Sequence, residues 1–139
     1  MKLKFLFYGL LGWGLEVFWT GLGSGLRGDP RLQATTYLWM FPIYGLAVFL
    51  ESLHNVIRFY PWYARGVLWV IVIWVIEYLS GGLLRILTGV SPWNYAGKTP
   101  WHISGLVRLD MAPVWFATGL LFEKVHDYLD HALKVPEIK

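Results

Sequence analysis

The stretch VLWVIVIWVI, residues 67–76, is the longest apolar run in the chain. It holds no charge, and the apolar pattern continues on both sides from Ala64 to about Thr88. A helix that crosses a bilayer needs about 20 mostly apolar residues at a rise of 1.5 Å per residue. The run is typical of the centre of such a helix, and together with the flanking apolar residues it predicts a membrane span at 64–88.

Three further segments of bilayer length surround this one. The first contains a single acidic residue, Glu16, and the connections between all four segments are short. Short connections place consecutive helices antiparallel, so the fold class expected is all-α, an up-down bundle of four transmembrane helices. We predict one membrane domain over 1–139, with spans at about 3–26, 35–57, 64–88 and 103–125 and a short polar tail at 126–139. The two halves look too different to infer an inverted repeat.

The composition supports the same class of protein. Of the 139 residues, 56% are hydrophobic and only 15% are charged, with no cysteine and a formal net charge of +3. Soluble domains carry about 25% charged residues. These values exclude a disordered chain, a disulfide scaffold and a nucleic-acid partner. The partner that they indicate is the lipid bilayer.

The distribution of Lys and Arg predicts the orientation in the membrane. Seven of the twelve fall on the N-terminal side of the predicted bundle: Lys2, Lys4, Arg58, Arg65, Lys124, Lys134 and Lys139. The other five fall on the opposite side: Arg27, Arg31, Arg85, Lys98 and Arg108. The excess favours a multi-pass protein of the cell (inner) membrane with both termini in the cytoplasm.

Two glutamates lie near the middle of predicted spans, Glu16 in the first and Glu77 in the third. A charge there costs about 2.5–3.5 kcal/mol, so both are expected to face a shared interior. Either they bind a proton, a cation or a cationic substrate, or they are protonated and hydrogen-bond between helices. The candidate buried polar site is Glu16, Tyr44, Glu77, His102, Arg108 and Asp110. Arg108 and Asp110, at i and i+2 at the start of a helix, are expected to pair with other residues.

Two polar clusters have simpler interpretations. Glu51, His54, Asn55 and Arg58 share one helical face, and Glu123, His126, Asp127, Asp130 and His131 crowd the last turns. Both patterns are typical of solvated helix ends. His126 and Asp130 are four residues apart, which is a weak metal-binding pattern, and we predict no metal site.

The longest connection contains the loop motif Trp93, Asn94 and Tyr95. Its aromatic density predicts that the loop packs onto the bundle. Trp93 would then anchor at the membrane interface. Alternatively, the loop covers a polar cavity that holds Glu77 and His102, since non-helical backbone at membrane depth needs protein or water around it.

The order of several short motifs resembles the transmembrane protein 229 family and the related bacterial ABC-transporter type IV (CmpB-like) membrane proteins. The motifs are Tyr8-Gly9, Glu16-Val17, Phe41 to Gly45, Glu77 with Leu79 to Arg85, Ser91 to Tyr95, and Gly105 to Asp110 with Trp115-Phe116. They span roughly residues 8–122. Asn94 stands where that family usually has Asp. The resemblance implies a four-helix membrane fold.

Three functions fit these features. The first is a small permease or carrier, proton- or cation-linked through buried glutamates and acting as a homo-oligomer or with other membrane subunits. The second is a non-catalytic accessory or scaffold subunit of a larger membrane complex. The third is a protein that contacts lipid, quinone or haem through His54 or His102. No motif assembles a nucleophile, a base and an orienting acid, so we predict no enzyme, and the sequence identifies no cofactor.

Overall fold

A computed structural model of the protein describes residues 1–132, and these residues are predominantly α-helical. Two short 3-10 turns and a two-stranded hairpin accompany the helices. The α-helices are α1 (Lys2–Leu26), α2 (Met40–Gly45), α3 (Leu50–Ile57), α4 (Trp62–Thr88) and α5 (Ala112–Ala132). The 3-10 turns are Leu46–Phe49 and Leu109–Met111, and the strands are β1 (His102–Ile103) and β2 (Val107–Arg108).

Three helical segments are long and apolar enough to cross a membrane. Within residues 1–132 they are Lys2–Leu26, Met40–Ile57 and Trp62–Thr88. This confirms the helical membrane fold class. Helix α5 has 21 residues and is less apolar, because Glu123, Lys124, Asp127 and Asp130 lie in its second half. Whether it crosses the membrane as a fourth span stays a prediction, as does the single domain over 1–139.

The chain divides into two compact units. Unit 1 is Met1–Leu53, and unit 2 is His54–Lys139, of which the structure describes the part up to Ala132. The boundary falls inside α3. Of the predicted polar tail, residues 126–132 belong to α5, and residues 133–139 lie outside the described part of the chain.

In unit 1 the chain leaves α1 and returns along it. The segment 32–37 has no regular secondary structure, whereas the sequence predicted a helix from residue 35. The hydroxyl of Thr20 compensates, since it donates to the Thr35 carbonyl at 3.0 Å and accepts from the Thr35 N–H at 3.1 Å. Backbone outside a helix is tolerated near a membrane span when side chains satisfy it in this way.

The second helical segment of unit 1 is irregular at its middle. Pro42 lies in the first turn of α2, where a helix tolerates proline because that N–H has no intrahelical acceptor. The change to 3-10 geometry comes later, at Leu46–Phe49. The irregularity therefore follows Gly45 and does not lie at Pro42.

In unit 2, α4 packs against α5, and a hairpin precedes α5. Strand β1 pairs with β2 antiparallel, with His102 opposite Arg108. The turn between them places Ser104 and Gly105 at positive φ, 53° and 72°. The indole of Trp74 on α4 donates to the Arg108 carbonyl at 3.2 Å, which ties the hairpin to the helix. The predicted helix over 103–125 therefore begins only at Ala112.

Candidate functional site

The predicted site residues Glu16 and Tyr44 meet in unit 1. The Tyr44 hydroxyl donates to Glu16 Oε2 at 2.6 Å. Gly12, one turn before Glu16 on α1, makes this possible, because a Cβ at that position would overlap the ring of Tyr44. The structure thus brings two members of the candidate site together in the middle of a helix that is long enough to cross a membrane.

A second carboxylate in unit 1, Glu51, accepts from two donors on α1. Lys4 Nζ donates to Glu51 Oε2 and the Tyr8 hydroxyl to Glu51 Oε1, both at 2.8 Å. Tyr8 is buried, and the Glu51 side chain is 15% exposed. The interpretation of Glu51 as part of a solvated helix end is therefore wrong.

Unit 2 holds the most buried carboxylate that the structure describes, Glu123. Arg65 Nε donates to both of its oxygens at 3.0 Å, and the indole of Trp69 donates to Oε1 at 2.8 Å. Gly119 on α5 gives Trp69 the space to approach, since a Cβ there would overlap the indole. Glu123 and His126 are only 4% and 2% exposed, so the prediction of a solvated end for α5 is wrong at these residues.

Next to Glu123 lie two histidines in edge-to-face contact. The ring centroids of His54 and His126 are 5.1 Å apart. His54 Nε2 lies 3.3 Å from Asp127 Oδ1, which also accepts from Arg58 at 3.4 Å. His54 Nδ1 points toward Glu123, with 3.6 Å between Nδ1 and Oε1.

Glu77 lies on α4 in unit 2, whereas Glu16 lies on α1 in unit 1. Glu77 is half-buried, and it contributes to raising the pKa of Arg108 after the larger effects of Asp110. That the two glutamates face one shared interior stays a prediction.

Arg108 and Asp110 pair with each other, which corrects the expectation of separate partners. Arg108 Nε donates to Asp110 Oδ1 at 3.1 Å, and the terminal Nη2 donates to Oδ2. The reason is local geometry: the chain passes from the extended conformation at Arg108 into the 3-10 turn Leu109–Met111, where the Asp110 carboxylate lies within hydrogen-bonding distance of Arg108. The hydrogen bonds from Arg108 hold the pKa of Asp110 below its ordinary value, and Asp110 raises the pKa of Arg108.

The loop motif is folded against α4 and the hairpin. Trp93 is buried, its indole donates to the Leu106 carbonyl at 3.0 Å, and its ring occupies the space that a Cβ on Gly81 would need. Asn94 Oδ1 accepts from the Ala96 N–H at 2.9 Å, and Tyr95 lies under the Arg108 guanidinium, 5.7 Å from ring centroid to Cζ.

His102, the remaining predicted residue, has a local contact. Its Nδ1 accepts from the Gly105 N–H at 3.1 Å, within the hairpin. The structure therefore gathers Tyr95, Arg108 and Asp110 at the hairpin, well separated along the chain from the Glu16–Tyr44 pair.

The chain is similar to one known family. Residues 3–137 match the model of the family described as "Putative ABC-transporter type IV". The chain belongs to this family. The CmpB-like resemblance seen in the sequence is thereby confirmed, and with three apolar helices it indicates a transport-related integral membrane protein. No solved structure matches the chain significantly.

Within this ABC-transporter type IV chain, both units repeat one arrangement that our sequence analysis missed. In each, a basic residue and an aromatic residue four positions apart on the first long helix donate to a glutamate on a later helix. In unit 1 these are Lys4 and Tyr8 with Glu51 on α3, and in unit 2 they are Arg65 and Trp69 with Glu123 on α5. A further glutamate follows the basic residue by twelve positions in both cases, Glu16 and Glu77. Glu51 and Glu123 each precede a histidine by three positions, His54 and His126 respectively.

The repeat depends on a few residues, and the halves that contain them differ at most other positions. Equal spacing of Lys4 to Glu16 and of Arg65 to Glu77 was the available signal. The separations of Lys4 from Glu51 and of Arg65 from Glu123 differ, 47 and 58 residues, so this spacing does not extend to the pairing of Glu123 with Arg65.

Proposed function

We propose that this chain is the membrane-embedded part of a transporter in which Glu16 takes up a proton or a small cation. The observation that carries the proposal is the 2.6 Å hydrogen bond from Tyr44 to Glu16 in the middle of a candidate span. Ionisable residues inside membrane helices are expensive and commonly mark ion or proton pathways.

Tyr44 suits such a role chemically. Its hydroxyl donates to Glu16 while the carboxylate is charged, and its oxygen can accept a hydrogen bond once the carboxyl is protonated. The side chain of Glu16 is therefore held in one position in both protonation states. Gly12 keeps the tyrosine ring close enough to α1 for this contact.

The competing explanation is a purely structural hydrogen bond between two helices. Glu16→Gln separates the two, because glutamine keeps the shape and an acceptor for Tyr44 but cannot change charge. A structural bond survives this substitution with little change in function or folding. A proton or cation site is lost while the fold is kept.

The experiment uses proteoliposomes with a pH-sensitive dye inside and a potassium gradient with valinomycin to drive protons inward. We expect wild-type protein to accelerate acidification over empty liposomes and Glu16→Gln to abolish the acceleration. Asp29→Asn, which removes a carboxylate from the connection after α1, is the matched control and should behave as wild type. Equal acidification by wild type and Glu16→Gln at equal reconstitution contradicts the proton-linked function.

A second candidate is a non-catalytic accessory subunit of a larger transport complex, which the family description favours. Residues 1–139 contain no Gly-x-x-x-x-Gly-Lys phosphate-binding loop, so an ATP-driven step would need an ATPase outside these residues. Mass measurement of the complex extracted from native membranes in mild detergent tests this. A complex with other subunits favours the accessory role, and a homo-oligomer favours the carrier.

A further inference from the structure

Two buried histidines and a carboxylate converge in unit 2 without a role in the function proposed above. One ligand atom from each of His54, His126 and Asp127 lies within 4.8 Å of the other two. The histidines are 3% and 2% exposed, and the Asp127 side chain is half-exposed. The cluster therefore combines a buried pair of imidazoles with a carboxylate that reaches the surface.

One distance in the cluster matches the separation of two ligand atoms around a bound metal ion. Zinc lies about 2.0–2.2 Å from imidazole nitrogen and carboxylate oxygen, so two ligand atoms of a tetrahedral site are about 3.4 Å apart. His54 Nε2 and Asp127 Oδ1 are already 3.3 Å apart. The ligand atom of His126 lies within 4.8 Å of both, and a three-residue site requires it to move closer to them.

A second observation concerns the other nitrogen of His54. Within residues 1–132, Nδ1 is buried and makes no hydrogen bond, and Glu123 Oε1 lies 3.6 Å from it. A metal-binding histidine usually donates its second N–H to a carboxylate, which fixes the tautomer and the ring orientation. Glu123 is suited to this role, because Arg65 and Trp69 already hold its carboxylate in place.

Access and charge also fit a reversible site. Asp127 pairs with Arg58 at 3.4 Å, and both side chains are about half-exposed. Such surface pairs are weak, so an arriving cation can displace the guanidinium. Three protein ligands leave a fourth position for water, as in open zinc sites.

We propose that His54, His126 and Asp127 bind a divalent transition-metal ion of the zinc class, with Glu123 positioning His54. A site of two imidazoles and one carboxylate suits ions of the zinc class. Magnesium and calcium prefer sites made of oxygen ligands. Binding requires neutral imidazoles, because a protonated imidazole nitrogen cannot coordinate the ion. The proposal does not depend on the role of Glu16.

The test is calorimetric titration of the full chain in detergent with zinc, after chelator treatment and purification through a tag without histidine. We expect one zinc ion per chain, and a loss of tenfold or more in affinity in both His126→Ala and Asp127→Asn. His131→Ala removes an exposed histidine from the same helix and should bind as wild type. Cobalt in place of zinc should give the visible absorption of a four- or five-coordinate ion in wild type and not in His126→Ala.

Asp127→Asn distinguishes loss of the site from loss of folding. The Asp127 side chain is half-exposed, and asparagine keeps its shape, so both buried histidines are retained. A wild-type protein that takes up no zinc at millimolar concentration overturns the proposal. So does zinc affinity that is unchanged in Asp127→Asn, or that falls equally in His131→Ala.

Discussion

Single carboxylates in this chain are stabilised by more than one donor, and the clearest case is Glu123. Its two oxygens accept from Arg65 and from Trp69, and its side chain is only 5% exposed. Burial of a lone charge is costly, whereas a paired and hydrogen-bonded carboxylate is tolerated. We therefore expect the folded state to lose the most stability when one partner is removed and the other charge stays buried.

Glu123→Ala should lower the free energy of unfolding by about 3 kcal/mol, because it leaves the Arg65 charge and the Trp69 N–H without their acceptor. Thermal melting in detergent measures this. Lys124→Ala changes the exposed neighbour and should alter melting little. Equal melting of the two variants would show that the Glu123 contacts contribute nothing to stability.

The sequence identified Glu16 and Tyr44 as members of one candidate site, but it did not identify Arg65 and Trp69 as the partners of Glu123. Mid-span charges stand out against an apolar background, whereas Glu123 lies among other polar residues and looks like a solvated helix end. Its donor Arg65 is 58 residues away, so no local pattern connects them. Arg108 and Asp110 were misjudged for a different reason, because their geometry depends on a hairpin where the apolar composition indicated a helix.

Helix packing in unit 1 depends on small residues that admit aromatic rings. Gly12→Ala should place its new methyl group in the ring of Tyr44 and separate α1 from α2, which also weakens the bond to Glu16. We expect the melting temperature to fall by several degrees.

Gly14→Ala is the matched control, because no atom lies within 4 Å of the Cβ it would add. Alanine is favoured over glycine in a helix by about 1 kcal/mol, so melting should stay constant or rise. If Gly12→Ala melts as Gly14→Ala does, close packing of Tyr44 on α1 is refuted.

The loop between α4 and α5 offers a second pair of variants. Trp93 is buried against Gly81, whereas Trp101 in the same loop is 64% exposed. Trp93→Ala should cost about 3–5 kcal/mol, as for other buried aromatic side chains, and increase protease cleavage near Lys98. Trp101→Ala should do neither. Similar melting and cleavage in both would indicate that the loop is not packed.

The number of membrane crossings is a property of the whole molecule. Composition and apolar length were sufficient to predict the helical class and three long apolar helices, because these depend on many residues at once. The fourth crossing depends on α5, whose acidic and basic residues make its sequence ambiguous. Pairing of Glu123 with Arg65 removes one of these charges from contact with lipid, and we expect α5 to cross.

The most direct test is labelling of single cysteines from outside intact cells, which is clean because the chain has none of its own. Cysteines replace Gly28, Tyr60, Gly97 and Ile138, the last of which lies beyond the described residues. Four crossings with both termini in the cytoplasm predict that Gly28 and Gly97 react while Tyr60 and Ile138 are protected. Reaction at Ile138 together with Gly28 and Gly97 would contradict a fourth crossing, and reaction only at Tyr60 and Ile138 would reverse the orientation.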